Sequence, residues 1–161
     1  MKKAILLFAF AALSLQNINA TKRIYTKTDS IRAEKIMKQA SSQPAGTNTI
    51  VYIGRQLLGV PYVAQTLEKG KTENLVINTM QLDCTTFVEN VLAMYLCVQN
   101  KTTRFADFCS NIQKIRYAGG KVSYPSRLHY FSTWIEDNTK KGIVQEQQAP
   151  NPPFTAKQTI M

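Results

Sequence analysis

The apolar pattern of the chain predicts an α+β protein that is mostly helical. Apolar residues recur at helical spacing in successive stretches, whereas β-prone sequence is confined to the short run Leu75-Val76-Ile77. The length, 161 residues, suits one domain with a real core and is too short for two.

The start reads as an export signal. Met1-Lys2-Lys3 is a charged n-region, Ala4 to Leu15 an apolar run too short to span a bilayer, and Ile18-Asn19-Ala20 a cleavage site. Residues 1–20 are therefore set aside as a signal peptide, and the mature protein is expected in the periplasm or outside the cell. Losing Lys2 and Lys3 lowers the formal charge from +10 to +8. The cations are scattered, with Lys140-Lys141 a pair and no run of five or six, which suits a generally cationic surface facing anionic wall polymers better than a nucleic-acid groove. A basic protein with no such partner fits the same charge.

Residues 21–46 read as an N-terminal extension with one helix. Thr21 to Thr28 is polar and expected to be poorly ordered. Asp29 or Ser30 then caps a helix to about Ala40, with Ile31, Ile36, Met37 and Ala40 as its apolar set. Pro44 and Gly46 break it. Residues 47–161 form the main unit. Thr47 or Asn48 caps a helix carrying Ile50, Ile53, Leu57 and Leu58. Gly59 suits its stop and Pro61 forbids continuation, so Gly59-Val60-Pro61-Tyr62 leaves the helix extended and presents Tyr62. An ordinary half-buried tyrosine would look the same. Thr66 to Asn74 is a polar loop before Leu75-Val76-Ile77.

The stretch of most chemical interest follows. In Asp83-Cys84-Thr85-Thr86 an Asp N-cap leaves Cys84 at the first helical position, where unpaired N–H groups and the macrodipole favour an anionic sulfur. Such a sulfur attacks carbonyls. Phe87, Val88, Val91, Leu92, Tyr95 and Val98 continue as the buried side of the helix. Cys84 falls on that side too, so a small apolar core residue is the competing interpretation.

Cys97 lies on the same helix, roughly 20 Å from Cys84 by helical rise, so these two cannot pair. A bridge between Cys97 and Cys109, across Asn100 to Thr103, is geometrically possible. Cys84 is the odd thiol either way. Phe105, Phe108, Cys109, Ile112 and Ile115 mark the next helix, ended by Gly119-Gly120, with Tyr117 and Val122 flanking a tight turn. Ser126 is expected to cap a last helix to about Lys141, with Leu128, Phe131 and Ile135 as core face. Arg127, Tyr130 and Trp134 fall on an adjoining stripe at i, i+3, i+7, suited to a sugar or a peptide carboxylate. His129, Ser132, Thr133 and Glu136 take the polar side. Gly142, Pro150, Pro152 and Pro153 end the pattern. No Gly-rich phosphate loop, Cys-pair metal spacing or His-Glu-x-x-His helix occurs, and neither a metal nor another cofactor is expected.

Three motifs in order carry a family resemblance: Leu58-Gly59-Val60-Pro61-Tyr62, Asp83-Cys84-Thr85-Thr86-Phe87-Val88-Glu89, and Arg127-Leu128-His129-Tyr130-Phe131-Ser132-Thr133-Trp134-Ile135. Together they resemble the N-acetylmuramoyl-L-alanine amidase-like family, a branch of the NlpC-type papain-like cell-wall hydrolases. The resemblance implies that Cys84 is the nucleophile and that Tyr62 is the tyrosine approaching it. Asp83, Thr85, Thr86, Glu89, Arg127, His129, Tyr130 and Trp134 become binding or supporting residues. It implies cleavage of the amide between N-acetylmuramic acid and L-Ala in peptidoglycan or its turnover fragments; a monomer is expected. The alternatives are an endopeptidase cutting after D-Glu and a secreted, non-catalytic wall-binding module.

One departure stands out. NlpC-type enzymes carry their catalytic His on a strand after the Cys helix, in a Ser-His-Val-Gly-like stretch. Here the single histidine is His129, in a segment read as helical. Either the chain is the helical half of a papain-like fold whose C-terminal sheet is missing, or His129 is the base. Truncation, with little or no turnover, is the expectation, because too few strands remain for the sheet.

Overall fold

The computed structural model describes residues 21–145 and Gln147. The expected signal peptide and the Pro150, Pro152 and Pro153 stop lie outside the described residues. Within them run β1 (Arg23–Ile24), α1 (Lys27–Ser41), α2 (Thr49–Gln56), β2 (Leu75–Val76), α3 (Cys84–Gln99), α4 (Phe105–Arg116) and α5 (Phe131–Lys140). The result is a mostly helical α+β arrangement whose one sheet has two short parallel strands, β1 beside β2. No helix of the described residues is long and apolar enough to cross a membrane.

The segment Thr21 to Thr28 is ordered, contrary to expectation. Ile24 pairs with Val76, and Thr26 caps α1 three residues before the expected position. Asp29 is the third helical residue: its carboxylate accepts from the Thr26 N–H while the Thr26 hydroxyl accepts from the Asp29 N–H, a reciprocal capping box. Ile36, Met37 and Ala40 are buried as the pattern requires, whereas Ile31 is exposed. Asn48 caps α2, and Gly59, at φ +79°, takes the left-handed conformation that turns the chain into Val60-Pro61-Tyr62.

α3 is the hub, packed against α1, α2 and α4. Its centre of burial is rotated from the expected apolar side. Thr86, Glu89, Asn90, Val91, Ala93, Met94 and Cys97 are buried, while Phe87, Val88, Leu92, Tyr95 and Val98 are only partly covered. A helix surrounded on three sides buries polar residues as well, provided that they are paired. Glu89 meets that condition. The Arg116 guanidinium donates Nε to Glu89 Oε2 at 2.8 Å and Nη1 to the Val76 carbonyl at 2.6 Å, so one buried cation joins α3, α4 and β2.

Cys97 and Cys109 are both buried free thiols rather than a bridge. Burial pushes each up to about 11, so both stay protonated at neutral pH. Asn111 Nδ2 lies 3.2 Å from the Cys97 sulfur.

The expected last helix begins four residues late, capped at Tyr130 and not at Ser126. Tyr124–Ser126 make a single 3-10 turn, and Arg127 is extended and bridges Tyr117 in antiparallel sense. The Leu128 N–H bonds the Arg116 carbonyl at 3.0 Å. This tertiary pairing overrides the helical period, and α5 starts only at Phe131. The expected core face is thereby misplaced. Phe131 and Ile135 are exposed, and the inward residues are Trp134 and Asn138, the latter bonded to the Ile115 carbonyl at 3.0 Å.

Candidate active site

Cys84 stands where the sequence puts it, first residue of α3, with an exposed side chain. Asp83 fixes that position. Its extended backbone (φ −101°, ψ −177°) ends the approach strap, and its carboxylate accepts from the Thr86 N–H and hydroxyl, each at 2.8 Å. The Thr86 hydroxyl in turn accepts from the Asp83 N–H at 2.9 Å. The cap therefore consumes Asp83 and buried Thr86 as structural groups. The Thr85 hydroxyl lies 4.0 Å from the Cys84 sulfur. The first intrahelical bond runs from Phe87 to the Asp83 carbonyl, which leaves the Cys84 and Thr85 N–H groups at the open end of the helix.

The thiol opens into a cleft of about 220 Å³. Leu57, Val60, Leu82 and Phe87 form its apolar lining, with Tyr62, Asp83 and Cys84 at the polar end. Tyr62 is brought there by backbone pairing. Leu82 donates to the Pro61 carbonyl and accepts from the Val63 N–H, both at 3.1 Å, so the two segments run side by side and end next to Cys84. Tyr62 is 72% exposed, which makes it a wall of the cleft rather than part of the core.

The remaining sequence candidates do not line this cleft. Glu89 is locked to Arg116. Trp134 is buried beneath α5, and Tyr130 is exposed at the N-cap of that helix. Because the helix starts only at Phe131 and Arg127 lies outside it, Arg127, Tyr130 and Trp134 form no common helical stripe. Arg127 is buried against Glu68 and Glu73 from the polar loop. Burial opposes its charge, but the Glu68 bond and the Glu73 field outweigh this and hold the guanidinium above its ordinary value. Its charge is met by these two carboxylates, although its buried Nη1 makes no hydrogen bond. Tyr117 joins the group by donating to Glu73 at 2.6 Å, and burial with that bond pushes its phenol up. His129 is exposed, its Nε2 2.9 Å from the Tyr124 carbonyl and its ring against that of Tyr124. A carbonyl only accepts, so Nε2 carries a proton in this arrangement.

Glu68, Glu73 and Arg116 escaped the sequence reading, in which Tyr117 only flanks a tight turn. Charged residues in a polar loop and at a helix end carry no periodic signal for partners so far along the chain. Among the described residues no three of His, Cys, Asp or Glu gather into a metal site.

Fold and site together define a mostly helical α+β unit built around a capped helix that presents one exposed thiol. A family model described as "AmiA-like: N-acetylmuramoyl-L-alanine amidase-like" matches residues 52–158, and the chain belongs to that family. Two solved structures of an N-acetylmuramoyl-L-alanine amidase from Bacteroides uniformis ATCC 8492 are similar. One is 41% identical over 69% of this chain with a TM-score of 0.52, and the other 39% identical over 68% with a TM-score of 0.50. A Bacteroides fragilis protein named as a candidate xylanase is 48% identical over 56% of this chain, with a TM-score of 0.52. The chain spans about two fifths of the length of these proteins: 41%, 40% and 39% respectively. No curated protein matches.

Proposed function

We propose that this chain carries the nucleophile half of a peptidoglycan amidase of the NlpC-type, papain-like kind, with Cys84 as the attacking residue. Family membership supports the amidase class. The single observation that favours Cys84 is its exposure at the capped N-terminus of an otherwise buried helix, in a cleft shared with Tyr62.

In the proposed reaction a base takes the Cys84 proton, and the sulfur adds to the lactyl carbonyl of N-acetylmuramic acid. The open Cys84 and Thr85 N–H groups are suited to hold the oxyanion. The C–N bond breaks, the L-Ala amine leaves with the proton from the base, and water releases the sugar acid from the thioester. The base comes from outside the described residues, because His129 is engaged with Tyr124 and does not line the cleft. Export to the periplasm or the cell exterior fits the substrate, as does the +8 surface.

The test compares two proteins: this chain alone, and this chain joined to the part of the Bacteroides uniformis amidase that it does not cover. Each is incubated with defined muropeptides and the products are weighed. The joined protein is expected to release peptide beginning at L-Ala, and Cys84→Ala to abolish release. Cleavage after D-Glu would overturn the assigned bond. Undiminished release by Cys84→Ala would overturn the nucleophile.

A further inference from the structure

Asp29 is 3% exposed and lies outside the cleft, yet its carboxylate accepts four hydrogen bonds. Its Oδ2 accepts from the Thr26 N–H at 2.8 Å and the Thr26 hydroxyl at 2.6 Å. Its Oδ1 accepts from the Thr79 N–H at 2.7 Å and the Thr79 hydroxyl at 3.0 Å. One half of the group therefore caps α1, and the other crosses to the strap that leads into Cys84.

That strap is held at nearly every step. The Ile77 N–H bonds the Ile24 carbonyl of β1, the Thr79 N–H bonds Asp29, and the Met80 and Gln81 N–H groups both bond Asn78 Oδ1. Leu82 then bonds Pro61, and Asp83 bonds the Thr86 hydroxyl. On the far side Asn90 Nδ2 reaches the Asn78 carbonyl at 3.3 Å. Of these anchors, β1 and Asp29 belong to the N-terminal segment, which precedes the matched family region beginning at residue 52. Arg32 of α1 also reaches the strap, its Nη1 3.5 Å from the Met80 sulfur.

We propose that Asp29 is a positioning residue for Cys84. It fixes the strap from α1, so the segment before the family region is a working part of the thiol site. The backbone of Asp83 sets the cap, the cap sets the first turn of α3, and the strap sets Asp83. If Thr79 loses its partner, the strap shifts, and errors of about 1 Å at a reacting group are costly in rate. The catalytic meaning of this rests on the proposed role of Cys84, but the positioning itself is measurable without turnover.

The experiment is alkylation by iodoacetamide, followed cysteine by cysteine by mass. Cys84 is exposed while Cys97 and Cys109 are buried, so the two buried thiols report whether a variant is still folded. Asp29→Asn and Thr79→Val are expected to slow Cys84 labelling about threefold or more, with the buried pair silent. Thr79→Ser restores the hydroxyl and should label as the unaltered protein does. Thr26→Val removes one bond to Asp29 Oδ2 but leaves both Thr79 bonds in place, and should slow Cys84 labelling less than Thr79→Val does. Unchanged labelling of Cys84 in both Asp29→Asn and Thr79→Val overturns the proposal. So does simultaneous labelling of all three cysteines in Thr79→Val, which would make the contact one of general stability. Hydrolysis surviving Cys84→Ala would remove the nucleophile while leaving the labelling result intact, so the two failures are distinct.

Discussion

Arg116→Leu tests the frame beneath the thiol most directly. The Arg116 and Glu89 side chains are 3% and 2% exposed, and the guanidinium makes two contacts at 2.8 Å to Glu89 Oε2 besides its 2.6 Å bond to the Val76 carbonyl. Removing one partner of a buried pair strands the other charge, at a cost of about 3–5 kcal/mol. For a domain of this size that corresponds to a fall of roughly 10–20 °C in Tm. The stranded Val76 carbonyl accounts for about 1–3 kcal/mol of it. Replacing both members, Glu89→Leu with Arg116→Leu, removes the uncompensated charge but leaves that carbonyl unpaired. The double variant is therefore expected to regain about 2 kcal/mol or more relative to the single one. Urea titration monitored by the emission of Trp134, which is 2% exposed and the single tryptophan of the chain, gives all the stabilities. A single substitution costing under about 1 kcal/mol, or a double variant no more stable than the single, would refute the idea that Glu89 is held as a buried anion by Arg116.

Acid should weaken the strap. Burial alone would raise the Asp29 carboxyl, but the Thr26 and Thr79 bonds outweigh it and hold the group below its ordinary 3.8. Its contribution is thus present above about 3.8 and lost as pH falls through the lower folded value; an Asp29→Asn protein should show a flatter acid limb in urea titrations, and an unchanged limb would contradict this. On α5, Ile135→Lys should change stability by no more than about 0.5 kcal/mol, whereas Trp134→Ala should cost about 3–5 kcal/mol in the same titration monitored by circular dichroism.

What the sequence discloses and what it hides divide along a physical line. The Asp83 cap, the first-turn position of Cys84 and the buried face of α4 are set by neighbours within a few residues, and each is found where local chemistry requires it, whereas α2 ends at Gln56, before Leu57, Leu58 and the expected Gly59 stop. β1 is missed because two residues joined to β2 across about a third of the chain leave no local trace. The start of α5 is missed because the pairing of Arg127 with Tyr117, Glu68 and Glu73 outweighs a helical period that continues through His129. On α3 the periodicity finds the helix but not its orientation. The buried side includes Glu89 and Asn90, and polarity is a poor guide to burial once a partner such as Arg116 comes from another element.

The same division bears on chemistry. Of the polar residues that the family motifs suggested around Cys84, Asp83 and Thr86 are spent on the cap, Glu89 on Arg116 and Arg127 on two glutamates. Each is engaged by a partner within the frame, and the two carboxylates cannot also take a proton from a thiol without breaking what holds them. What stays unspent at the cleft is the Cys84 sulfur, the open N–H groups of the first turn, and the exposed Tyr62 ring. These are the parts an acyl-transfer site needs on the nucleophile side: an attacking atom, donors for the developing charge and a wall for the substrate. The proton acceptor is the part that the described residues do not place beside them. On the proposed function this chain therefore contributes the rigid half of the reaction, in which the position of Cys84 is fixed by the helix cap, by the pairing of Leu82 with Pro61 and by Asp29.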